Sequence, residues 1–280
     1  MGFRRKTEDR MASVHAVLDG YELPSFPHVV SDALGKLGDP DVGLGDVANV
    51  LELDPGVSVK ILSLVNSAAM GMRNPVDSLH KAVTMLGRNQ VESILISTAA
   101  HASVPVPRSP IFDSSRFWKA AACRAVIATS ISSAVEPARR SETFTAALLQ
   151  DMALPVLVDR VDGYDVILKS WYDGAIVDLA AEEESTYGWD HASVAAAMGA
   201  RWDFPPSLLD AIAQHHDPDD EAEMIGVRLV ADWHEVDPES GRERLTEQAS
   251  QIPALATIDL DSLIDEALER VGEVAALFAS

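Results

Sequence analysis

The chain has 280 residues, 47% of them hydrophobic and 24% charged, with a formal net charge of −22. That balance excludes a disordered chain, and the length suffices for one large domain or two modest ones, each burying a core. So acidic a surface repels phosphate backbones and anionic lipid, so neither direct nucleic-acid binding nor membrane insertion is expected.

The start, "MGFRRKTEDRM", has basic residues with no apolar region behind them, which is not the pattern of a signal peptide. No run approaches the roughly 18 apolar residues of a membrane span, and the expected location is the cytoplasm. From there almost every periodic segment reads as helix. Leu44, Val47, Ala48 and Leu51 fall at i, i+3, i+4 and i+7, a core-facing stripe. Asp54 then offers an N-cap and Pro55 a first helical position for a helix carrying Val57, Ile61, Leu64, Val65 and Ala68. Ser78 in front and Gly87 behind bracket a third stripe of Leu79, Ala82, Val83 and Leu86. Asn89 and Glu92 have capping-box spacing and predict the start of the next helix, "QVESILISTAAHA".

"SVPVPRSPIFD", residues 103–113, breaks this rhythm with three prolines, at positions 105, 107 and 110, and predicts a subdomain boundary. Further helical stretches follow, beginning with "FWKAAACRAVIATSISSAV" and ending in the acidic "DLDSLIDEALERVGEVAALF". The lone cysteine, Cys123, excludes an intramolecular disulfide and reads as a small buried apolar group. Pro205-Pro206 suit the start of the helix leading to His215 and His216, and "DDEAE" reads as a solvated loop. Period-2 strand patterns are missing, so the predicted class is all-α.

Chemistry could reside in Asp151, His191, His215, His216 and Asp232. Carboxylates with imidazoles hold hard divalent ions and generate hydroxide in hydrolytic centres. These residues lie 16 to 40 positions apart where they are not adjacent, without local ligand spacing, and His215-His216 could equally close a helix beside its negative end. Gln150-Asp151 interrupts the apolar "ALLQDMALPVLV", where a polar pair needs partners. No phosphate-cradling glycine loop, no G-x-S-x-G elbow and no cysteine cluster is present.

Taken together, these residues resemble an HDOD domain, the HD-related output domain of bacterial signalling proteins. The likeness is carried by Leu23-Pro24 with Pro27, Asp39-Pro40, Leu53-Asp54-Pro55, Asn66-Ser67-Ala68 with Gly71, "SLHKAVTMLGRNQVESILI", Phe117-Trp118, "ALLQDMALPVL", "HASVAAAMGARWDFPPSLLDAIAQHHDP" and "VRLVADW". It implies an all-α domain over 20–235, with an N-terminal helical subdomain at 20–104, an HD-like one at 112–235 and an acidic helical extension at 236–280. The HD and HD-GYP relatives are metal-dependent phosphohydrolases. Carried across position by position, the first metal-binding histidine of those enzymes falls at Ala120 and the histidine of the His-Asp pair at Gln150. Asp151, His191, His215, possible His216 and Asp232 match the later positions, and no GYP triplet follows Asp151.

Alanine has no lone pair to offer, and a glutamine oxygen is a weak ligand. The resemblance therefore implies a non-enzymatic regulatory module with no cofactor and no expected metal, in which Asp151 hydrogen-bonds within the core to His191 or His215. Any residual ion would fall to Asp151, His191, His215 and Asp232. A ligand would take the cleft between the subdomains, among Arg124, Gln150, Asp151, His191, His215 and His216. No receiver, GGDEF or EAL sequence is present, so the expected partners, namely histidine kinases, receiver proteins or cyclic di-GMP enzymes, act in trans. Two alternatives stand beside this: a residual phosphohydrolase or cyclic-dinucleotide phosphodiesterase with an incomplete ligand set, and a dimerisation scaffold using Leu260, Leu263, Ile264, Ala267 and Val271.

Overall fold

A computed structural model describes residues 13–67, 70, 74–217, 224–234 and 238–278. Ala68 and Gly71 of the family motif, the "DDEAE" run and the basic start lie outside these. Among the described residues there is no strand, as the missing period-2 patterns predict. No helix among them is long and apolar enough to cross a membrane.

Among the described residues the N-terminal half contains α1 (His28–Gly38), α2 (Leu44–Leu51), α3 (Pro55–Asn66), α4 (Leu79–Leu86) and α5 (Arg88–Ser103). The local signals act as expected at α3, where the Asp54 carboxylate accepts from the backbone N–H of Gly56 and Val57 and Pro55 opens the helix. Ser78 caps α4 by accepting from Lys81. The start of α5 differs from the capping box predicted at Asn89 and Glu92. Gly87, at φ 78°, both ends α4 and serves as the N-cap of α5, so the helix is already under way at Arg88 and Asn89 lies inside it. Arg88 instead turns back to donate to the carbonyls of Asp39 and Val42, securing the exit of α1.

The proline-rich stretch is irregular, with a turn at 110–111, and is held to the second half where the Arg108 N–H donates to Asp159. It leads into α6 (Ser114–Val135), a 22-residue helix capped by Asp113. Its alanines let neighbours approach closely, and α6 becomes the axis of the C-terminal half. Around it stand α7 (Arg140–Leu149), α8 (Leu154–Arg160), α9 (Tyr164–Tyr172), α10 (Leu179–Tyr187), α11 (His191–Arg201), α12 (Pro206–Ala213), α13 (Ile225–Leu229), α14 (Pro238–Ser250) and α15 (Leu260–Phe278). Against α6 pack α7, α13 and α15. The α13 contact is so close that a Cβ on Gly226 would lie 2.6 Å from the Ala128 carbonyl oxygen.

One continuous core runs through both halves. The seam is α5 on α7, where Thr145 Oγ1 donates to the Ser93 carbonyl at 3.0 Å. The acidic C-terminal helix is part of the same body. Ile264, Ala267, Val271, Val274, Ala275 and Phe278 are buried against α6 and its neighbours. His101 fixes the far end, its Nε2 donating to the Phe278 carbonyl at 2.9 Å. Most of the stripe that suggested a dimerisation scaffold is thus covered by the chain's own helices.

Candidate functional site

Gln150 and Asp151 occupy the turn between α7 and α8, walled by the buried side chains of Leu148, Leu149, Met152, Ala153 and Leu154. This is why the polar pair cannot escape to water: the sequence around it is apolar on all sides, and Asp151 is only 5% exposed. Three elements bring partners to it. From α6 comes Arg124, 1% exposed, whose Nη2 lies 2.9 Å from Asp151 Oδ2 while Nη1 donates to the Trp233 carbonyl at 2.9 Å. The start of α11 supplies His191, placed by a capping box in which Asp190 and Ser193 bond reciprocally. The turn after α12 supplies His215 and His216, since that helix stops at Ala213 rather than running through the histidines.

Asp151 Oδ1 faces His215 Nε2 at 3.3 Å and His191 Nε2 at 3.5 Å. His191 Nε2 also lies 3.0 Å from His216 Nε2. Ligand atoms of Asp151, His191, His215 and His216 all fall within 4.8 Å of one another. Asp232 stands outside this set of four. Its carboxylate pairs with Arg244 of α14 at 3.2 Å, and burial, opposed by Arg244, raises its pKa.

A residue that sequence reasoning passed over governs the histidines. Glu183 on α10 is fully buried and accepts from the His191 backbone N–H and from His191 Nδ1, both at 2.7 Å, and from the Tyr164 hydroxyl. It sits in a run of three glutamates, which reads as a solvated face. Its signal is positional: Leu179, Ala180 and Glu183 share the buried side of α10.

The protonation pattern follows from these contacts. Burial pushes the His191 imidazole down, but Glu183 and Asp151 on either side outweigh it and hold the pKa well above the usual histidine range. Burial, with His215 and His191 beside it, keeps His216 well below that range. Burial would raise Asp151, yet Arg124 and the two imidazoles hold it well below the usual carboxylate range. Two anions, Asp151 and Glu183, therefore face two cations, Arg124 and protonated His191. The cluster balances its own charge.

Whether this donor set fits the metal chemistry of the HD hydrolases depends on Asp151. A two-metal centre needs a carboxylate with both oxygens available and ligands on either side of it. Here Oδ2 belongs to Arg124, position 120 is alanine, and Asp232 is engaged by Arg244. At position 150 both amide atoms of Gln150 are buried with no hydrogen-bond partner among the described residues. The set does not fit two ions. Four donors do converge on one point, Oδ1 of Asp151 and the Nε2 atoms of His191, His215 and His216, with Glu183 on His191 Nδ1 and the Ile212 carbonyl 2.7 Å from His215 Nδ1; a single ion there would have to displace the proton that Glu183 and Asp151 hold on His191.

The chain is thus an all-helical domain with Asp151 and three histidines gathered in its core. The HDOD domain family matches residues 23–218, and the chain belongs to that family. In fold it is similar to an HDOD domain protein of unknown function from Geobacter sulfurreducens, with 23% identity, a TM-score of 0.71, and 97% of this chain and 98% of that one covered. A candidate phosphohydrolase from Shewanella amazonensis SB2B gives 23% identity and a TM-score of 0.70 over 95% and 97% of the two chains. A candidate signal transduction protein from Marinobacter aquaeolei VT8 gives 18% identity and a TM-score of 0.71, covering all of this chain and 67% of that one. An uncharacterised protein of Treponema pallidum (strain Nichols) is 23% identical over 198 residues, and the match spans 38% of that relative's length.

Proposed function

We propose that the chain is a non-enzymatic signal-transduction module that works by binding partner proteins in trans, with histidine kinases, receiver proteins and cyclic di-GMP enzymes as the partner classes. The observation that supports this reading most is the Arg124–Asp151 ion pair in the buried core. A guanidinium held by the fold neutralises the carboxylate that a hydrolase would give to metal. With Asp151, His191 and His215 each 5% exposed or less, a phosphodiester has no direct approach to them. The domain is then a scaffold whose outer helices meet other proteins, and its core cluster sets their relative positions.

A second reading is favoured by the four converging donor atoms: a residual phosphohydrolase, or a module that holds one ion. One transition-metal ion in that set would supply Lewis acidity to a bound oxygen. Cyclic di-GMP turnover by the purified chain with added manganese tests the choice. The module reading predicts a rate equal to that of Asp151→Asn; turnover that this substitution abolishes would establish the phosphohydrolase.

A further inference from the structure

Ahead of α1, residues 21–27, "YELPSFP", form no helix, and side chains from the C-terminal end of α11 grip the backbone there. Arg201 Nη1 donates to the Tyr21 carbonyl at 3.1 Å and Nη2 to the Leu18 carbonyl at 3.0 Å. The Trp202 indole N–H donates to the Pro24 carbonyl at 3.1 Å. Phe26 completes the contact, its ring centroid 5.1 Å from that of Trp202 and 6.2 Å from that of Phe204. Pro27 has φ −51° and ψ 132°, close to polyproline II values. A segment of that kind has three residues per turn and no internal hydrogen bonds, so carbonyls three apart, as at Tyr21 and Pro24, turn to one side and accept from outside.

The receiving surface depends on a glycine. A Cβ on Gly199 would lie 2.7 Å from the Phe204 ring and 2.9 Å from Leu209. The absence of a side chain lets buried Phe204 lie against α11, with half-buried Trp202 beside it at 5.8 Å. The docked segment shows much of itself to solvent: Glu22, Pro24 and Ser25 are exposed. What α11 reads is an extended backbone and one aromatic ring, the way an aromatic groove reads a proline-rich ligand.

We propose that the end of α11 is a docking surface for an extended, proline-bearing peptide, closed in the free chain by residues 21–27 and taken over by a partner protein's segment of the same pattern. The occupant defines the partner: two prolines three apart, as Pro24 and Pro27 are, with an aromatic residue between them. The inference names a contact point for the partner proteins proposed above and rests on that reading. A tethered segment acts at an effective concentration of roughly millimolar, so the surface stays closed until a partner adds contacts of its own or the segment is weakened.

The test uses the full chain and a fluorescently labelled peptide of residues 18–27, followed by anisotropy. Pro24→Gly and Phe26→Ala each loosen the tethered segment and leave the surface intact. Each variant should bind the peptide at least about tenfold more tightly than the parent chain, with a Kd on the order of 0.1 mM or tighter. Adding Arg201→Gln or Trp202→Ala to either variant should weaken that binding about tenfold, and glycine in place of both prolines of the peptide should weaken it as well. Pro24 and Arg201 are exposed, so Pro24→Gly with Arg201→Gln keeps the test valid should the aromatic variants fail to fold. No binding to the loosened variants, binding no tighter than to the parent, binding indifferent to Arg201 and Trp202, or equal binding of the glycine peptide would each overturn the assignment. Its failure is distinct from failure of the module reading, which turns on cyclic di-GMP turnover.

Discussion

Replacing Arg124 by alanine is expected to destabilise the chain by about 3–5 kcal/mol, the loss that follows when one partner of a buried ion pair is removed. The size comes from what is left behind. Asp151 would remain 5% exposed or less in an apolar turn, its Oδ2 without the guanidinium now 2.9 Å away. The Trp233 carbonyl would lose its donor as well, loosening the turn after α13 from α6. Urea unfolding at neutral pH measures the effect. Adding Asp151→Asn to Arg124→Ala should recover part of the loss, because an amide in the same place carries no uncompensated charge. A cost below about 1 kcal/mol would mean that Asp151 is neutral or reaches water, and the charge balance described for the cluster would fail.

Glu183→Gln should cost about 2–4 kcal/mol although it changes side-chain volume very little. Glu183 accepts three hydrogen bonds with two carboxylate oxygens, and hydrogen bonds to charged groups contribute about 1.5–3 kcal/mol each, without simple additivity. Glutamine keeps one acceptor oxygen and turns an N–H₂ toward groups that themselves donate. With the amide oxygen kept on the two His191 donors, the N–H₂ faces the Tyr164 hydroxyl, which can accept from it only by giving up its own donation to a carboxylate, and His191 loses its anionic neighbour. The measurable consequences are a lower urea midpoint and loss of the fixed orientation of His191, visible as a change in its ring resonances. A variant as stable as the parent would show that Glu183 is only a bystander to His191.

How far the sequence reveals this molecule differs between its levels. The starts of α3 and α4 are legible because each is decided within four residues, by Asp54 with Pro55 and by Ser78. The start of α5 misleads because two local rules compete there. A glycine at positive φ and an arginine engaged with α1 prevail over a plausible capping box one turn later. The site is harder still. Asp151 and His191, a turn and a helix start forty residues apart, meet only through the packing of α7, α11 and α12 about α6. No periodicity carries that distance; only likeness to a known family marks the two positions. Arg124 is marked in the sequence as a residue of the cleft, but its role as the ion-pair partner of Asp151 shows only once the two helices are packed. Glu183 hides among its exposed neighbours because composition says nothing about which of three glutamates turns inward. Asp232 shows the reverse case: it matches a family position, yet Arg244 holds its carboxylate outside the group of four.

The most direct test of the central claim, that Asp151 has a guanidinium as its resident cation and the cluster balances its own charge, is the metal content of the purified full chain. Elemental analysis after purification without chelator, and again after incubation with manganese or zinc and exhaustive dialysis, gives the number. The expected content is far less than one ion per chain in both samples, unchanged by His191→Ala or His215→Ala. One ion per chain, lost when either histidine is removed, would contradict it and make Asp151, His191, His215 and His216 a metal centre.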